Sequence, residues 1–313
     1  MFLLLEIIST SSIGLGLFLL GMKFLTEGLD RFASSRFRYV ITNLKINPLL
    51  GVLIGAAITG ILQSSSGTTV ILVGLVQANL LTLYQVTPII MGANIGTTVT
   101  SQIIAFNIEK YAFIPFILGI FIILTSNNKK LSYIGKVLIG FSLIFIGIDI
   151  LTKGLSPLKD ILAFQRLLGE FGENSILGIL FGFSTISILQ SSSTGVAILQ
   201  TLGSTGAISI YSAVSIMLGM NIGTCITSII SSLSLNYAAK QTAFIHLLFN
   251  MIGVILIIPF IRLLCEVSIY LSPFNISRQI ANSHTIFNVF TTLIFLPFTN
   301  ILVNIAQLII KKH

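Results

Sequence analysis

Residues 47–104 can be laid over residues 174–231 at an offset of 127 without a gap. "NPLLGVLIGAAITGILQSSS" falls on "NSILGILFGFSTISILQSSS", and "GANIGTTVTS" on "GMNIGTCITS". Two unrelated apolar segments could share Leu and Ile by chance. These share Gln, Ser, Asn, Gly and Thr in the same order, so the chain is an internal duplication and one copy's local structure is the other's. Gly51 and Gly55 fall on Gly178 and Gly182, and Gly92 and Gly96 on Gly219 and Gly223. Each pair spells GxxxG, a spacing that lets helix backbones approach closely in lipid.

Lipid is the expected solvent. The 313 residues are 54% hydrophobic and 8% charged, where a soluble domain carries about 25% charge. Apolar stretches near the bilayer-spanning length of about 20 residues recur from end to end. The net charge of +8 does not indicate nucleic acid. Its basic residues fall in short breaks between apolar runs (Arg31, Arg36, Arg38 and Lys45; Lys129 and Lys130; Lys311 and Lys312), which is the positive-inside pattern. The start, "MFLLLEIIST", has no basic leader and carries Glu6, so no cleaved signal peptide is expected. Cys225 and Cys265 offer neither metal spacing nor a disulfide framework.

The most polar stretch of each copy sits mid-segment. Between residues 48 and 82, Gln63, Ser64, Ser65 and Ser66 divide the apolar run into halves. Each half would be about 24 Å of helix, short of the roughly 30 Å of hydrocarbon. A re-entrant hairpin over 48–82 resolves this, and a second over 174–209 turns at Gln190, Ser191, Ser192 and Ser193. Ser66 and Thr68 can open the second half-helix of the first hairpin, and Ser193 and Thr194 that of the second. Each tip then presents N–H groups and hydroxyls suited to an anion and free carbonyls near Gln63 and Gln190 suited to a cation. Broken helices inside internal repeats point to a transporter binding site; serine-mediated helix packing is the alternative. "NIGT" reads as a further break, with Asn94 and Gly96 ending a helix and Thr97 capping its continuation, repeated by Asn221, Gly223 and Thr224. Uncharged oxygens there suit Na⁺, and a glycine packing seam is the alternative.

Two smaller matches remain. "LTEGL" (25–29) matches "LTKGL" (151–155), which places Lys23 over Asp149 and Glu27 over Lys153 as two i,i+4 pairs of opposite sense near the membrane interface. "KQTAFIHLLFN" (240–250) resembles "RQIANSHTIFN" (278–288), repeating His246 and Asn250 as His284 and Asn288. Side chains four apart share a helix face, suited to interhelical hydrogen bonding or to an ion ligand.

Spanning helices are expected near 13–30, 85–106, 111–126, 132–152, 210–233, 241–262 and 281–307. Three crossings per copy invert the second copy. The fold class is therefore an all-α polytopic membrane protein of two inverted repeats. Each has a re-entrant hairpin and three spanning helices, and one C-terminal spanning helix follows. The expected divisions are 1–131, 132–266 and 267–313. With 31–45, 127–131, 234–240 and the C-terminus in the cytoplasm, that side holds nine Lys or Arg against six opposite (Lys110, Lys153, Lys159, Arg166, Arg262 and Arg278).

The paired "QSSS" segments, each followed about 28 residues later by "NIGT", resemble the type II sodium/phosphate cotransporter family over nearly the whole chain. The "AxxHxxFN" segments at 243–250 and 281–288 are similar to those of bacterial members. The resemblance implies Na⁺-driven import of inorganic phosphate across the cytoplasmic membrane by elevator-like alternating access, with Na⁺ as coupling ion and no cofactor or enzymatic activity. It implies phosphate binding by Gln63, Ser64, Ser65, Ser66 and Thr68 and by Gln190, Ser191, Ser192, Ser193 and Thr194. Na⁺ contacts fall at Asn94, Thr97, Thr98, Asn221 and Thr224. Partners are phosphate, Na⁺ and the lipid bilayer, and a homodimer is compatible. Many bacterial members continue into a soluble helical domain; a member without one is expected here, the sequence stopping at His313. The first copy departs from the pattern in lacking the His–Asn pair, with Pro115 about where His246 would fall. Another oxyanion, a dicarboxylate, or a non-transporting phosphate sensor would fit the same hairpin chemistry.

Overall fold

The structure, a computed structural model, describes the backbone of residues 2–43, 47–106 and 111–311 and the side chains of 3–29, 47–106 and 111–311. Arg31, Arg36, Arg38, Lys45, Lys110 and Lys312, counted above for orientation, lie outside the described side chains. The described residues form helices and no strand: α1 (Phe2–Asn43), α2 (Pro48–Leu62), α3 (Ser65–Gln77), α4 (Leu83–Ile104), α5 (Phe113–Thr125), α6 (Lys129–Leu155), α7 (Leu162–Glu173), α8 (Ser175–Leu189), α9 (Ser192–Ser204), α10 (Ile210–Gly223), α11 (Cys225–Ser232), α12 (Tyr237–Ile257), α13 (Ile261–Leu271), α14 (Ile276–Phe295) and α15 (Thr299–Ile309).

Local chemistry explains the starts. The Asn47 side chain accepts from Leu50 N at 2.7 Å, and Pro48 occupies the first turn of α2, where its missing N–H is no loss. Thr82 and Gln85 form a capping box at the start of α4. Among the described residues, five helical stretches are long and apolar enough to cross a membrane: Leu3–Leu29, Lys129–Asp160, Ile210–Ser232, Tyr237–Leu271 and Ile276–Ile309. The expected spans near 85–106 and 111–126 are not among them. The apolar run of α4 is interrupted by Gln85, Asn94, Thr97, Thr98, Thr100, Ser101 and Gln102, and α5 has 13 residues. Helix α7, unforeseen in the sequence, meets α8 at a bend of 111°.

Glycine seams hold the helices together. α1 and α6, the first helices of the two copies, pack antiparallel: Gly14 lies against Gly147 and Leu151, and Gly21 against Gly140 and Ile144. The GxxxG pairs do the same within each copy. Gly92 of α4 meets Val52 of α2, and Gly219 of α10 meets Ile179 of α8. Dispersion at backbone contact distance is the attraction that lipid leaves available to such helices.

One ion pair departs from expectation. Lys153 and Asp149 pair on one face of α6 at 2.6 Å. Glu27, however, pairs with Lys136 at 2.9 Å rather than with Lys23. The close α1–α6 seam brings the Lys136 ammonium across to it.

The seams predict a signed contrast. A Cβ at Gly92 would stand 2.0 Å from Val52 O, and one at Gly219 would stand 1.9 Å from Ile179 O, whereas one at Gly74 would meet nothing within 4 Å. Gly92→Ala and Gly219→Ala should each destabilise by about 1–3 kcal/mol through overpacking. Gly74→Ala, inside α3, should stabilise by about 0.5–1 kcal/mol. Thermal unfolding in detergent should show the two signs.

Candidate substrate and ion site

Both Gln-Ser-Ser-Ser segments break a helix in the same way. Gln63 ends α2 with φ 54° and ψ 25°, and Gln190 ends α8 with φ 54° and ψ 22°. This left-handed geometry terminates helices, usually at glycine. A side chain there is strained by about 1–3 kcal/mol. The next residue is extended and caps the following helix: Ser64 Oγ accepts from Gly67 N at 3.1 Å, and Ser191 Oγ from Thr194 N at 3.4 Å. The caps are thus Ser64 and Ser191, not Ser66 with Thr68 or Ser193 with Thr194. The left-handed glutamine restarts the helix at once, which leaves the first serine as the one extended residue.

The chain folds back at each break. Thr59 Oγ1 donates to Thr68 Oγ1 at 3.0 Å across nine positions, a span of about 13 Å in a continuous helix. The equivalent Ile186 lies against Gly195. Thr68 is buried, its own hydroxyl donating to Ser64 O at 2.9 Å, so it faces α2. Thr194 is buried with Ser191 Oγ at 2.7 Å. Ser65 and Ser192 are buried, while Ser66 and Ser193 are half-buried. Of the carbonyls expected to be free near the first tip, Gly60 O is in use, since Gln63 Nε2 donates to it.

The two copies differ at the glutamines. Gln63 is 7% exposed, and its Oε1 accepts from Thr100 Oγ1 at 2.5 Å. Gln190 is exposed, and the equivalent Thr227 Oγ1 is buried without a hydrogen-bond partner. A cavity of about 160 Å³ lies beside Leu189 and Gly195 of the second hairpin.

The "NIGT" segments are less broken than expected. α4 runs unbroken through Asn94–Thr97, while α10 stops at Gly223 and α11 starts at Cys225 with Thr224 still near helical geometry (φ −59°, ψ −26°). The threonines do not cap. Thr97, Thr98 and Thr224 donate instead to Ala93 O, Ile95 O and Met220 O of the preceding turn. Each hydroxyl hydrogen is therefore spent on its own helix, and the oxygen lone pairs are what remains for a cation.

Sequence reasoning did not find the partners of Asn94 and Asn221. Asn94 Oδ1 lies 3.3 Å from His246 Nε2, and His246 Nδ1 lies 3.3 Å from Ser228 Oγ. In mirror fashion, Asn221 Oδ1 lies 3.3 Å from His284 Nε2, and His284 Nδ1 lies 3.2 Å from Ser101 Oγ. Ser101 and Ser228 are themselves equivalent at the offset of 127, which was the signal available. Gln200 of α9 donates to Ser101 O and Ser277 O at 2.9 and 3.0 Å. Helix α3 packs on α11 and α12, and α9 on α4 and α14. The two Gln-Ser-Ser-Ser turns are thus joined through these shared helices, not by extensive packing of one hairpin on the other.

A multi-pass helical protein, duplicated, with a folded-back helix break in each copy and neutral oxygens beside it, belongs to the class of membrane transporters. The chain is a member of the Na⁺/Pi-cotransporter family, whose profile matches residues 17–153 and 156–272. It is a multi-pass protein of the cell membrane, and the family is one of transporters, not of enzymes. YqeW of Bacillus subtilis (strain 168), described as uncharacterized, is 35% identical over 82% of this chain and 83% of its own length. YjbB of Escherichia coli (strain K12), named provisionally for inorganic phosphate export, is 26% identical over 79% of this chain, which spans only 45% of that relative. The human sodium-dependent phosphate transport protein 2B is 50% identical over 64 residues, 20% of this chain and 9% of its own. No solved structure matches the chain.

The inequality of the two copies is testable with one isosteric change. Thr100→Val removes the donor to a buried amide and should destabilise by about 1–3 kcal/mol. Thr227→Val removes a buried hydroxyl without a partner and should be neutral or stabilising. Thermal unfolding of the two purified variants checks the difference.

Proposed function

We propose that the protein is a Na⁺-coupled symporter that imports inorganic phosphate. The observation that supports this most is the duplicated turn in which a left-handed glutamine is followed by a capping serine, placed at Gln63–Ser64 and Gln190–Ser191. In this reading phosphate contacts Gln63, Ser64, Ser65, Ser66, Gln190, Ser191, Ser192 and Ser193. Thr68 and Thr194 act one turn behind, holding the capping serines. Na⁺ is taken by oxygens of Asn94, Thr97, Thr98, Asn221 and Thr224.

Charge supplies the mechanism. Neither 60–69 nor 187–196 contains Lys or Arg. The N-termini of α3 and α9 offer about half a positive charge each, which leaves a phosphate dianion under-neutralised. Co-bound Na⁺ completes the balance in a site where charges are weakly screened. Phosphate then tightens Na⁺ binding by the factor by which Na⁺ tightens phosphate binding. Flux follows the Na⁺ gradient because neither partner is held well alone.

Movement in this proposal is elevator-like. A unit carrying both hairpins slides against a scaffold that includes the α1–α6 seam. The antiparallel packing of those equivalent helices supports two inverted repeats, divided near residues 131 and 266, with hairpins 48–82 and 174–209 re-entering from opposite faces. The match of "IPF" at 258–260 with "LPF" at 296–298, each a 3₁₀ turn after its His–Asn helix, supports pairing the C-terminal segment with α12–α13. The name of YjbB favours a second reading, phosphate export, in which flux runs outward.

Labelled phosphate flux in proteoliposomes tests both. Uptake driven by an inward Na⁺ gradient, absent with an equal K⁺ gradient, is the expected result. Ser65→Ala and Ser192→Ala should each reduce it at least about tenfold at unchanged protein level, as loss of a buried polar contact to a charged ligand does. Flux indifferent to Na⁺, or full uptake by both variants, would sink the proposal.

A further inference from the structure

His246 and His284 lie outside the aligned copies, on α12 and α14, and are 1% and 2% exposed. Each touches both copies: His246 joins Asn94 of the first to Ser228 of the second, and His284 joins Asn221 of the second to Ser101 of the first. The four contacts form two interlocked crosslinks of α4 with α10–α11.

Backbone carbonyls fix the protons in these links. A carbonyl only accepts. Asn250 therefore turns its Nδ2 to His246 O, at 2.9 Å, and its Oδ1 to Asn94. Asn94 must meet that oxygen with Nδ2, at 2.9 Å, which leaves Asn94 Oδ1 facing His246 Nε2. Nε2 must then carry hydrogen; Nδ1 lies 3.3 Å from Ser228 Oγ, whose own hydrogen goes to Cys225 O at 2.8 Å. In the second copy Asn221 Nδ2 meets Met217 O at 3.2 Å, so its Oδ1 faces His284 Nε2 and the same tautomer follows.

The two links are unequal. Asn94 is tied to α12 twice, by His246 and by Asn250. Asn221 is tied to α14 only by His284, because its Nδ2 stays on its own helix and Asn288 Oδ1 is buried without a partner.

We propose that His246 and His284 are positioning residues for the Na⁺-dependent step: each Nε2–H holds one asparagine amide oxygen in a fixed direction, and His284 does so alone while His246 shares the task with Asn250. The inference rests on the symport reading above and on Asn94 and Asn221 serving Na⁺. Equal burial would make a packing role equally severe at both histidines; the hydrogen-bond pattern makes it unequal.

The experiment is Na⁺-driven phosphate uptake into proteoliposomes of the full chain, with half-saturating Na⁺ and phosphate KM measured separately on monodisperse protein. His284→Ala should raise half-saturating Na⁺ by about tenfold, as loss of one buried hydrogen bond does. His246→Ala should raise it by less than about threefold, and His246→Ala with Asn250→Ala should reach the His284→Ala level. Phosphate KM at saturating Na⁺ should stay within about twofold throughout, and His284→Gln, which keeps an N–H donor, should recover most of the loss. Equal effects of the two single changes, a parallel rise in phosphate KM, a loss of maximal rate alone, or no rescue by Gln would overturn the assignment. Absence of Na⁺-dependent uptake in the unchanged protein would instead overturn the symport reading, and this inference with it.

Discussion

A helix break inside a membrane protein is tolerated only if the backbone groups it frees find partners, because lipid supplies none. That requirement governs this fold. At residues 63–64 and 190–191 the chain meets it with its own side chains. The serine after each break covers an N–H of the next helix, and the Gln63 amide covers Gly60 O. The surroundings follow from keeping these breaks away from lipid. α4 lies against α2 along glycines, α10 lies against α8 in the same way, and the second half of each hairpin leans on the other copy's helices. Bulkier residues at Gly92 or Gly219 would hold the helices apart and open the turns to solvent or lipid.

Polar contacts then do what apolar packing in lipid does weakly. Apolar side chains face apolar neighbours whether a helix is docked or not, so close backbone packing and hydrogen bonds decide who sits where. The seven-residue spacing of Gly14, Gly21 and Gly28, repeated at Gly140, Gly147 and Gly154, decides the α1–α6 contact. The histidine links decide the placement of α12 and α14. Gln102, held by Arg278, Asn282 and Thr285, decides where the end of α4 meets α14.

Much of this was legible in the sequence because it was written twice. The offset of 127 exposed the broken helices and the GxxxG seams, since the same polar residues had to serve the same local geometry in each copy. What was not legible depended on contacts between elements. Nothing near Glu27 indicates that Lys136, rather than Lys23, would reach it. Asn-Ile-Gly-Thr looked like a break; α4 runs through it with its threonine hydroxyls bonded to the preceding turn, while the second copy does stop there, between α10 and α11. The serine partners of His246 and His284 lie within the repeated block, but pairing a histidine with a serine of one copy and an asparagine of the other needs the folded chain.

Matched residues in the two copies make unequal bonds. Gln63 is buried on Thr100 while Gln190 is exposed and Thr227 Oγ1 is unpartnered; Asn94 bonds Asn250 while Asn221 turns to Met217 and leaves Asn288 Oδ1 unpartnered. The bonding residues match, but their neighbours do not: Thr59 and Thr68 of the first copy stand where the second has Ile186 and Gly195. The orphaned Thr227 Oγ1 and Asn288 Oδ1 mark positions where the second copy has the first copy's polar atoms without its bonds. Under the proposed alternating-access mechanism, two half-sites of matched chemistry, one engaged and one not, would exchange states, which reverses the asymmetry while conserving the number of bonds. The energy gap between the two states then rests on a few hydrogen bonds of about 1 kcal/mol each, small enough for a bound ion and its substrate to tip.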